Sequence, residues 1–215
     1  MMAPEKIATL KTWLTEPLSK EVDQSVKRLR QAEGVRAVAL MPDVHLAEQV
    51  CVGAIVATEE LIYPAAVGGD IGCGMAAVAF DVEAAAIDNE RAAGAVLAGL
   101  YQIVPANKHR NPRDLTEDLQ KQPLSEPGLQ RLAARDGRVQ LGTLGRGNHF
   151  LEFQADQEGR LWALVHSGSR AMGQAITEWH LRRATSMGGE LKALEAASNE
   201  GESYLADVAW ARRYA

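Results

Sequence analysis

Asp70 and Cys73 stand three positions apart in Gly68-Gly69-Asp70-Ile71-Gly72-Cys73-Gly74. A stretch so rich in glycine bends where other residues cannot, so one carboxylate and one thiol can be turned toward a common point. Two imidazoles join them from further along the chain: His149, closing Gly145-Arg146-Gly147-Asn148-His149, and His166, opening His166-Ser167-Gly168-Ser169-Arg170. Each piece has a plainer reading. Cysteine often serves as a small apolar filler, aspartate caps glycine-rich turns, and histidine packs in cores with its nitrogens hydrogen-bonded. As a set, however, one oxygen, one sulfur and two nitrogen donors suit Mn2+, Zn2+ or Fe2+ rather than Mg2+ or Ca2+.

Anion chemistry is the natural companion of such a site. Gly168 between Ser167 and Ser169 forms a candidate anion nest, and Arg170 adds a planar fork that matches a phosphate. The alternative is an ordinary strand-to-helix turn with Ser169 as its cap. Lys108, His109, Arg110 and Arg113 form a basic cluster that either tracks a nucleic-acid backbone or is a solvated charged face.

The elements that must position these residues follow from periodicity. Leu18, Val22, Val26 and Leu29 recur at three- and four-residue intervals, which predicts an amphipathic helix over 18–33 stopped by Gly34. Val35–Leu40 and Gly53–Thr58 read as strands flanking a loop, Met41-Pro42-Asp43-Val44-His45. A short apolar run at Leu61–Tyr63 precedes the glycine loop, and Met75–Phe80 reads as a buried strand. Asp88–Val104 is expected to be a helix ended by Pro105, and 106–138 a loop with one short helix near Leu129–Arg135. Strands through Phe153 and over Leu161–His166 form a hairpin turning near Asp156–Gly159. Helices are expected over Met172–Ser186 and from Ser203 to the end. This order gives a mixed α/β (α+β) fold rather than a bundle or sandwich. The chain stops at Ala215 inside a helical pattern with no cap, which reads as an incomplete domain.

Composition sets the outer bounds. The chain has 215 residues, 47% hydrophobic and 24% charged, which is ordinary globular usage. Its net charge of −5 does not mark a general nucleic-acid binder, so any RNA contact must use a local basic patch. Two cysteines are too few for a disulfide framework. No signal peptide and no run of about 18 apolar residues is present, so a soluble cytoplasmic protein with no membrane partner is expected.

Four stretches in order resemble the RtcB family of RNA-splicing ligases, over essentially the whole chain and matching the family's amino-terminal half. They are Met41–His45, Pro64–Gly74, Leu141–Glu152 and His166–Arg170. The resemblance implies a GTP- and Mn2+-dependent ligase joining RNA that ends in a 2′,3′-cyclic phosphate or 3′-phosphate to RNA that begins with a 5′-hydroxyl, in RNA repair or tRNA splicing. It implies that Asp70, Cys73, His149 and His166 bind two metal ions, with Cys73 bridging. It further implies that Asn148 holds the guanylate phosphate, that His149, Phe150, Leu151 and Glu152 belong to the nucleotide-contacting segment, and that Asp43 lies near the site. Leu46–Cys51 and Ala171 depart from the family pattern without removing a ligand. The family's guanylylated histidine lies in a later segment; His45, His109 and His180 lack its context, so no catalytic residue is assigned. Activity would then require a missing carboxy-terminal half or an activating partner protein. A metal-dependent cyclic phosphoesterase and a non-catalytic RNA-end-binding remnant are the alternatives.

Overall fold

The computed structural model describes residues 7–187 and 190–215. In chain order these are β1 (Thr9–Thr12), α1 (Lys20–Gln31), β2 (Val35–His45), β3 (Val52–Thr58), β4 (Leu61–Ile62), α2 (Pro64–Val67), β5 (Gly74–Glu83), α3 (Glu90–Ile103), α4 (Glu117–Lys121), α5 (Pro127–Leu132), α6 (Arg138–Gln140), β6 (Phe150–Ala155), β7 (Arg160–Ser167), α7 (Arg170–Leu181), β8 (Thr185–Ser186), β9 (Lys192–Glu195) and α8 (Asn199–Tyr214). A 3₁₀ turn at Ala84–Ile87 and a π-helical turn at Ala133–Gly137 complete them. The fold is mixed α/β, as expected. Among the described residues no helix is long and apolar enough to cross a membrane.

Contacts group the chain into two compact units, Met1–Gly69 with Ile176–Leu205, and Asp70–Ala175 with Ala206–Ala215. The first unit holds a sheet in the order β1-β2-β3 and a smaller one in the order β4-β9-β8. Helix α1 packs on β2. Its register follows from local chemistry: the Ser19 side chain accepts from the Val22 N–H at 3.3 Å, Glu21 and Asp23 sit in the first turn, and Arg28 and Arg30 in the last. Those charges complement the helix dipole, while Val22, Val26 and Leu29 turn into the core around Val38 and Leu40. Met41–His45 is not a free loop but the end of β2, reached through an irregularity between Leu40 and His45 where Pro42 supplies no N–H.

The second unit carries the chemistry-bearing residues and is built on an antiparallel sheet in the order β5-β7-β6. Its register decides where they meet. Met75 pairs with His166, and His166 pairs with Phe150, so the glycine loop before β5, the end of β7 and the residue preceding β6 share one end of the sheet. Strand β5, expected to be buried, is exposed at all ten positions, with Met75 at 63% and Val78 at 58%. It is an edge strand, and an apolar run has the same composition whether or not anything covers it. Helix α3 forms where expected, capped by the Asn89 side chain on the Ala92 N–H, yet it too has no buried residue.

The stretch 106–138, expected to be mostly loop, is threaded with short helices. Leu115, Leu119, Leu124 and Leu129 are buried there. The end of α8 holds them in place. Trp210 Nε1 donates to the Leu119 carbonyl at 3.1 Å, Tyr214 Oη donates to the Gly137 carbonyl at 2.7 Å, and the buried Asp207 carboxylate accepts from Ser125 N at 2.8 Å and Ser125 Oγ at 2.6 Å. Burial pushes the Tyr214 hydroxyl up to about 12, in keeping with its use as a donor. Helix α7 ends at Leu181, short of the expected Ser186, because Thr185 and Ser186 pair with β9 instead. Helix α8 begins at Asn199 rather than Ser203, with Ser198 Oγ accepting from the Gly201 N–H at 3.1 Å.

Candidate metal centre

Asp70, Cys73 and His149 converge: one donor atom from each lies within 4.8 Å of the other two. His149 Nε2 is 2.8 Å from Asp70 Oδ2, and its side chain is only 5% exposed. His166 joins from β7, its Nε2 2.8 Å from Cys73 Sγ, its ring edge-on to His149 at 5.4 Å between centroids and to Phe150 at 5.6 Å. The four residues singled out in the sequence are therefore neighbours, although 96 positions separate the first from the last.

Glycine makes this closeness feasible at two positions. A Cβ on Gly168 would overlap the Asp70 carboxylate, with Cγ 2.6 Å away. A Cβ on Gly145, whose φ is +118°, would overlap His149 Nδ1 and the Arg170 guanidinium. The glycine loop itself is a bent turn closed by the Cys73 N–H donating to the Asp70 carbonyl at 3.1 Å, with Gly72 at φ +75°. Gly72 also lies against α8: a Cβ there would stand 3.0 Å from Arg212 Cα.

A backbone partner assigns the tautomer of His166: its Nδ1 is 3.0 Å from the Asn148 carbonyl oxygen, which only accepts, so Nδ1 carries the proton and Nε2 presents a lone pair to the thiol of Cys73. His149 places Nε2 2.8 Å from Asp70 Oδ2 and Nδ1 3.4 Å from Arg170 Nη1. Burial first, then the hydrogen bond and charge of Asp70, push the Cys73 thiol up to about 12, so without a cation it keeps its proton. A carboxylate, a thiol that a cation would deprotonate and two imidazoles, held together by backbone too close for a Cβ, fit a transition-metal ion.

Arg170 opens α7 at φ +58°. Its guanidinium makes three long contacts, to Thr143 Oγ1 and His149 Nδ1 at 3.4 Å and to the Ala106 carbonyl at 3.5 Å. Ser167 Oγ donates to the Leu144 carbonyl at 2.7 Å, and Ser169 is fully buried with no hydrogen-bond partner at Oγ among the described residues. Asn148 is exposed and touches the site through its carbonyl; Phe150, Leu151 and Glu152 follow on β6, where Glu152 accepts from Gln154. Lys108, Arg110 and Arg113 are exposed on a segment that runs beside 138–146 through the bonds His109 N to Val139 O, Arg113 N to Arg138 O, and Gly145 N to Ala106 O. Asp43 belongs to the first unit, on β2, where its carbonyl accepts from His45 Nδ1–H at 2.8 Å.

Three contributors escape a reading of the sequence. Thr143 holds Arg170, Gln140 Oε1 accepts from the Ala171 N–H at 3.1 Å, and the Pro105 and Ala106 carbonyls border the site by accepting from Leu144 N and Gly145 N. Only the glycine density around Gly142 and Gly145 signalled that this segment had unusual work to do.

A family model described as tRNA-splicing ligase RtcB matches residues 25–130 and 116–215. The chain is 30% identical to the RNA-splicing ligase RtcB of Escherichia coli K12 over 97% of its own length and 57% of the relative's. It is 26% identical to the tRNA-splicing ligase RtcB of Archaeoglobus fulgidus, over 94% of this chain and 54% of that one. With the RNA-splicing ligase RtcB of Mycobacterium tuberculosis the identity is 27%, over 84% and 55%. The chain thus spans little more than half the length of these curated relatives.

Proposed function

Because the chain belongs to the RtcB family of RNA-splicing ligases, we propose that it forms the metal-binding part of a GTP- and Mn2+-dependent centre joining RNA 2′,3′-cyclic phosphate or 3′-phosphate ends to 5′-hydroxyl ends in the cytoplasm. The observation that carries this reading is the meeting of Asp70, Cys73 and His149 donors within 4.8 Å, with His166 on Cys73. Asp70, Cys73 and His149 would hold one Mn2+, and Cys73 with His166 would contribute to a second; Zn2+ or Fe2+ suits the same donors. When bound, the cations supply charge neutralisation and Lewis acidity at phosphate oxygens.

The chain's own groups do the rest. Asp70 and Cys73 bring the negative charge, and His166 is preset for ligation by its Nδ1–H bond to Asn148. The Asn148 side chain and the Phe150–Glu152 strand face the guanylate in this reading, while Arg170, Ser167 and Ser169 serve the reacting phosphate. Asp43 enters this reading only through its place in the family-like stretch Met41–His45. Lys108, Arg110 and Arg113 would receive the RNA backbone, where charge-assisted contacts to phosphates are strongest. The residues form the amino-terminal part of one catalytic domain, and guanylylation depends on polypeptide outside these 215 residues, as a continuation or as a partner protein.

Titration with Co2+ as a spectroscopic substitute should produce a thiolate charge-transfer band that Cys73→Ser abolishes. Asp70→Ala and His149→Ala should each weaken Mn2+ binding by roughly 10-fold or more. Cation affinity equal to that of the unmodified chain in all three variants would end the metal reading. A metal-dependent cyclic phosphoesterase is the second reading, favoured by the surroundings of the three remaining histidines: His45 is tied to Asp43, His180 is buried against Tyr204, and His109 Nε2 is enclosed. Opening of a cyclic-phosphate oligonucleotide to a 3′-phosphate without GTP supports it. A covalent adduct with labelled GTP shows instead a complete ligase.

A further inference from the structure

Helix α7 ends at Leu181 and runs into two consecutive arginines, Arg182 and Arg183, whose backbone N–H groups donate to the Glu178 and His180 carbonyls at 3.3 and 3.0 Å. Both side chains are exposed, and both turn to one half-buried indole. The guanidinium carbon of Arg183 lies 3.7 Å from the Trp179 ring centroid and that of Arg182 lies 5.7 Å away. Each is inside the ~6 Å over which an aromatic face attracts a cation.

Arg182 had another partner to hand. Glu178 is exposed and stands four residues before it, the spacing and order that favour a helical ion pair, yet none forms. Among the described residues no carboxylate pairs with Arg182, Arg183 or Lys192, the exposed lysine opposite Ser186 in the β8–β9 ladder. Arg28, Arg36, Arg135 and Arg138 each have one, and Arg28 draws off the nearby Glu190 at 3.5 Å. The carbonyl end of a helix favours cations, which accounts for two arginines after α7. It does not account for their lying on a ring, since a solvated arginine serves the dipole equally well.

A guanidinium laid on an indole keeps its N–H rim directed outward in a fixed plane, the edge that bonds phosphate oxygens. Its outer face takes an unstacked base as an aromatic ring would. We propose that Trp179, Arg182 and Arg183, flanked by Lys192, form a docking surface for single-stranded RNA on the first unit, additional to the Lys108, Arg110 and Arg113 cluster of the second. Phosphates meet the guanidinium edges, a base continues the stack, and Trp179 is the platform that orients both arginines. Charge and stacking are both indifferent to sequence, so the surface holds a strand without reading it. The proposal takes its ligand from the RNA-ligase reading; the surface itself stands on the geometry around Trp179.

Anisotropy of a labelled single-stranded RNA of about 12 nucleotides with hydroxyl ends, measured in EDTA, reads this surface without the metal centre. Arg182→Gln and Arg183→Gln should each weaken binding and lower the slope of log affinity against log salt by about 0.7, the value for one single-strand phosphate contact. Trp179→Leu keeps every charge, so the slope should stay while affinity falls roughly 3-fold, the scale of an exposed cation–π contact. Arg183→Lys should likewise keep the slope and restore affinity only in part. A duplex of the same length should bind more weakly than the single strand. Unchanged binding in both glutamine variants, with loss confined to Lys108→Gln, Arg110→Gln and Arg113→Gln, overturns this surface and leaves the RNA reading standing. Trp179→Leu and Arg183→Lys that match the unmodified chain overturn the platform, since loose charge alone would do that. Tighter binding of the duplex overturns the single-strand assignment. A chain that binds no RNA at all overturns both the surface and the RNA reading, and retention on phosphatidylserine vesicles, lost in the glutamine variants, would then assign the arginines to a lipid surface.

Discussion

Gly168→Ala should strip the chain of most of its divalent-cation affinity while leaving it folded. The added methyl would coincide with the Asp70 carboxylate, 2.6 Å from its Cγ, and the backbone directly after β7 cannot retreat without disturbing the pairing of Ser167 with Gly74. The carboxylate is the part free to move, since its side chain is 37% exposed and can swing outward. In doing so it leaves His149 Nε2, and the trio loses its oxygen donor. A displaced ligand or its support commonly costs on the order of 10–100-fold in metal affinity, and calorimetric titration with Mn2+ would measure it. Thermal unfolding should change little. Affinity within a factor of two of the unmodified chain would show that Asp70 is not a ligand in the observed rotamer.

Trp210→Ala should be the most destabilising single change in the second unit, by roughly 3–5 kcal/mol. Trp210 is fully buried, stacks on Tyr214 at 5.3 Å between centroids, and satisfies the Leu119 carbonyl. Its removal opens a cavity and strands that carbonyl without a donor. Trp210→Phe keeps an aromatic ring against Tyr214 but loses the N–H and part of the indole volume, so it should cost less than Trp210→Ala, about 1–3 kcal/mol, with the unsatisfied acceptor as one part. Urea unfolding of both variants gives the comparison. Equal stability of Trp210→Ala and the unmodified chain would show that the end of α8 does not hold the 115–137 stretch.

How much of this was legible depended on whether a local signal existed. The bent glycine loop was readable because glycine density excludes a helix, and α1 because Val22, Val26 and Leu29 follow Leu18 at helical spacing before Gly34. The β6–β7 hairpin was readable from its alternating runs and the Asp156–Gly159 turn. Burial of β5 was not, since no pattern within ten residues tells an uncovered strand from a covered one. The helices between 117 and 140 are three to six residues long and broken by prolines, too short for a period to register. Strands β1 and β9, four residues each, exist by pairing with distant partners. Within the site, ligand types and glycines could be read, but the different neighbours of the two imidazoles, a carbonyl on His166 and a guanidinium on His149, are set by approaches that only the fold determines.

The near-contact between Gly72 and Arg212 ties the loop bearing Asp70 and Cys73 to the last turns of α8. A loop braced in this way has no private opening motion. Amide hydrogens at 70–73 and at 206–214 should therefore exchange with deuterium as one cooperative group, with matching opening free energies and matching sensitivity to denaturant. A loop that exchanges far faster than the helix would mean the brace is slack, and the geometry of the ligands would then be set by the cation rather than by the polypeptide.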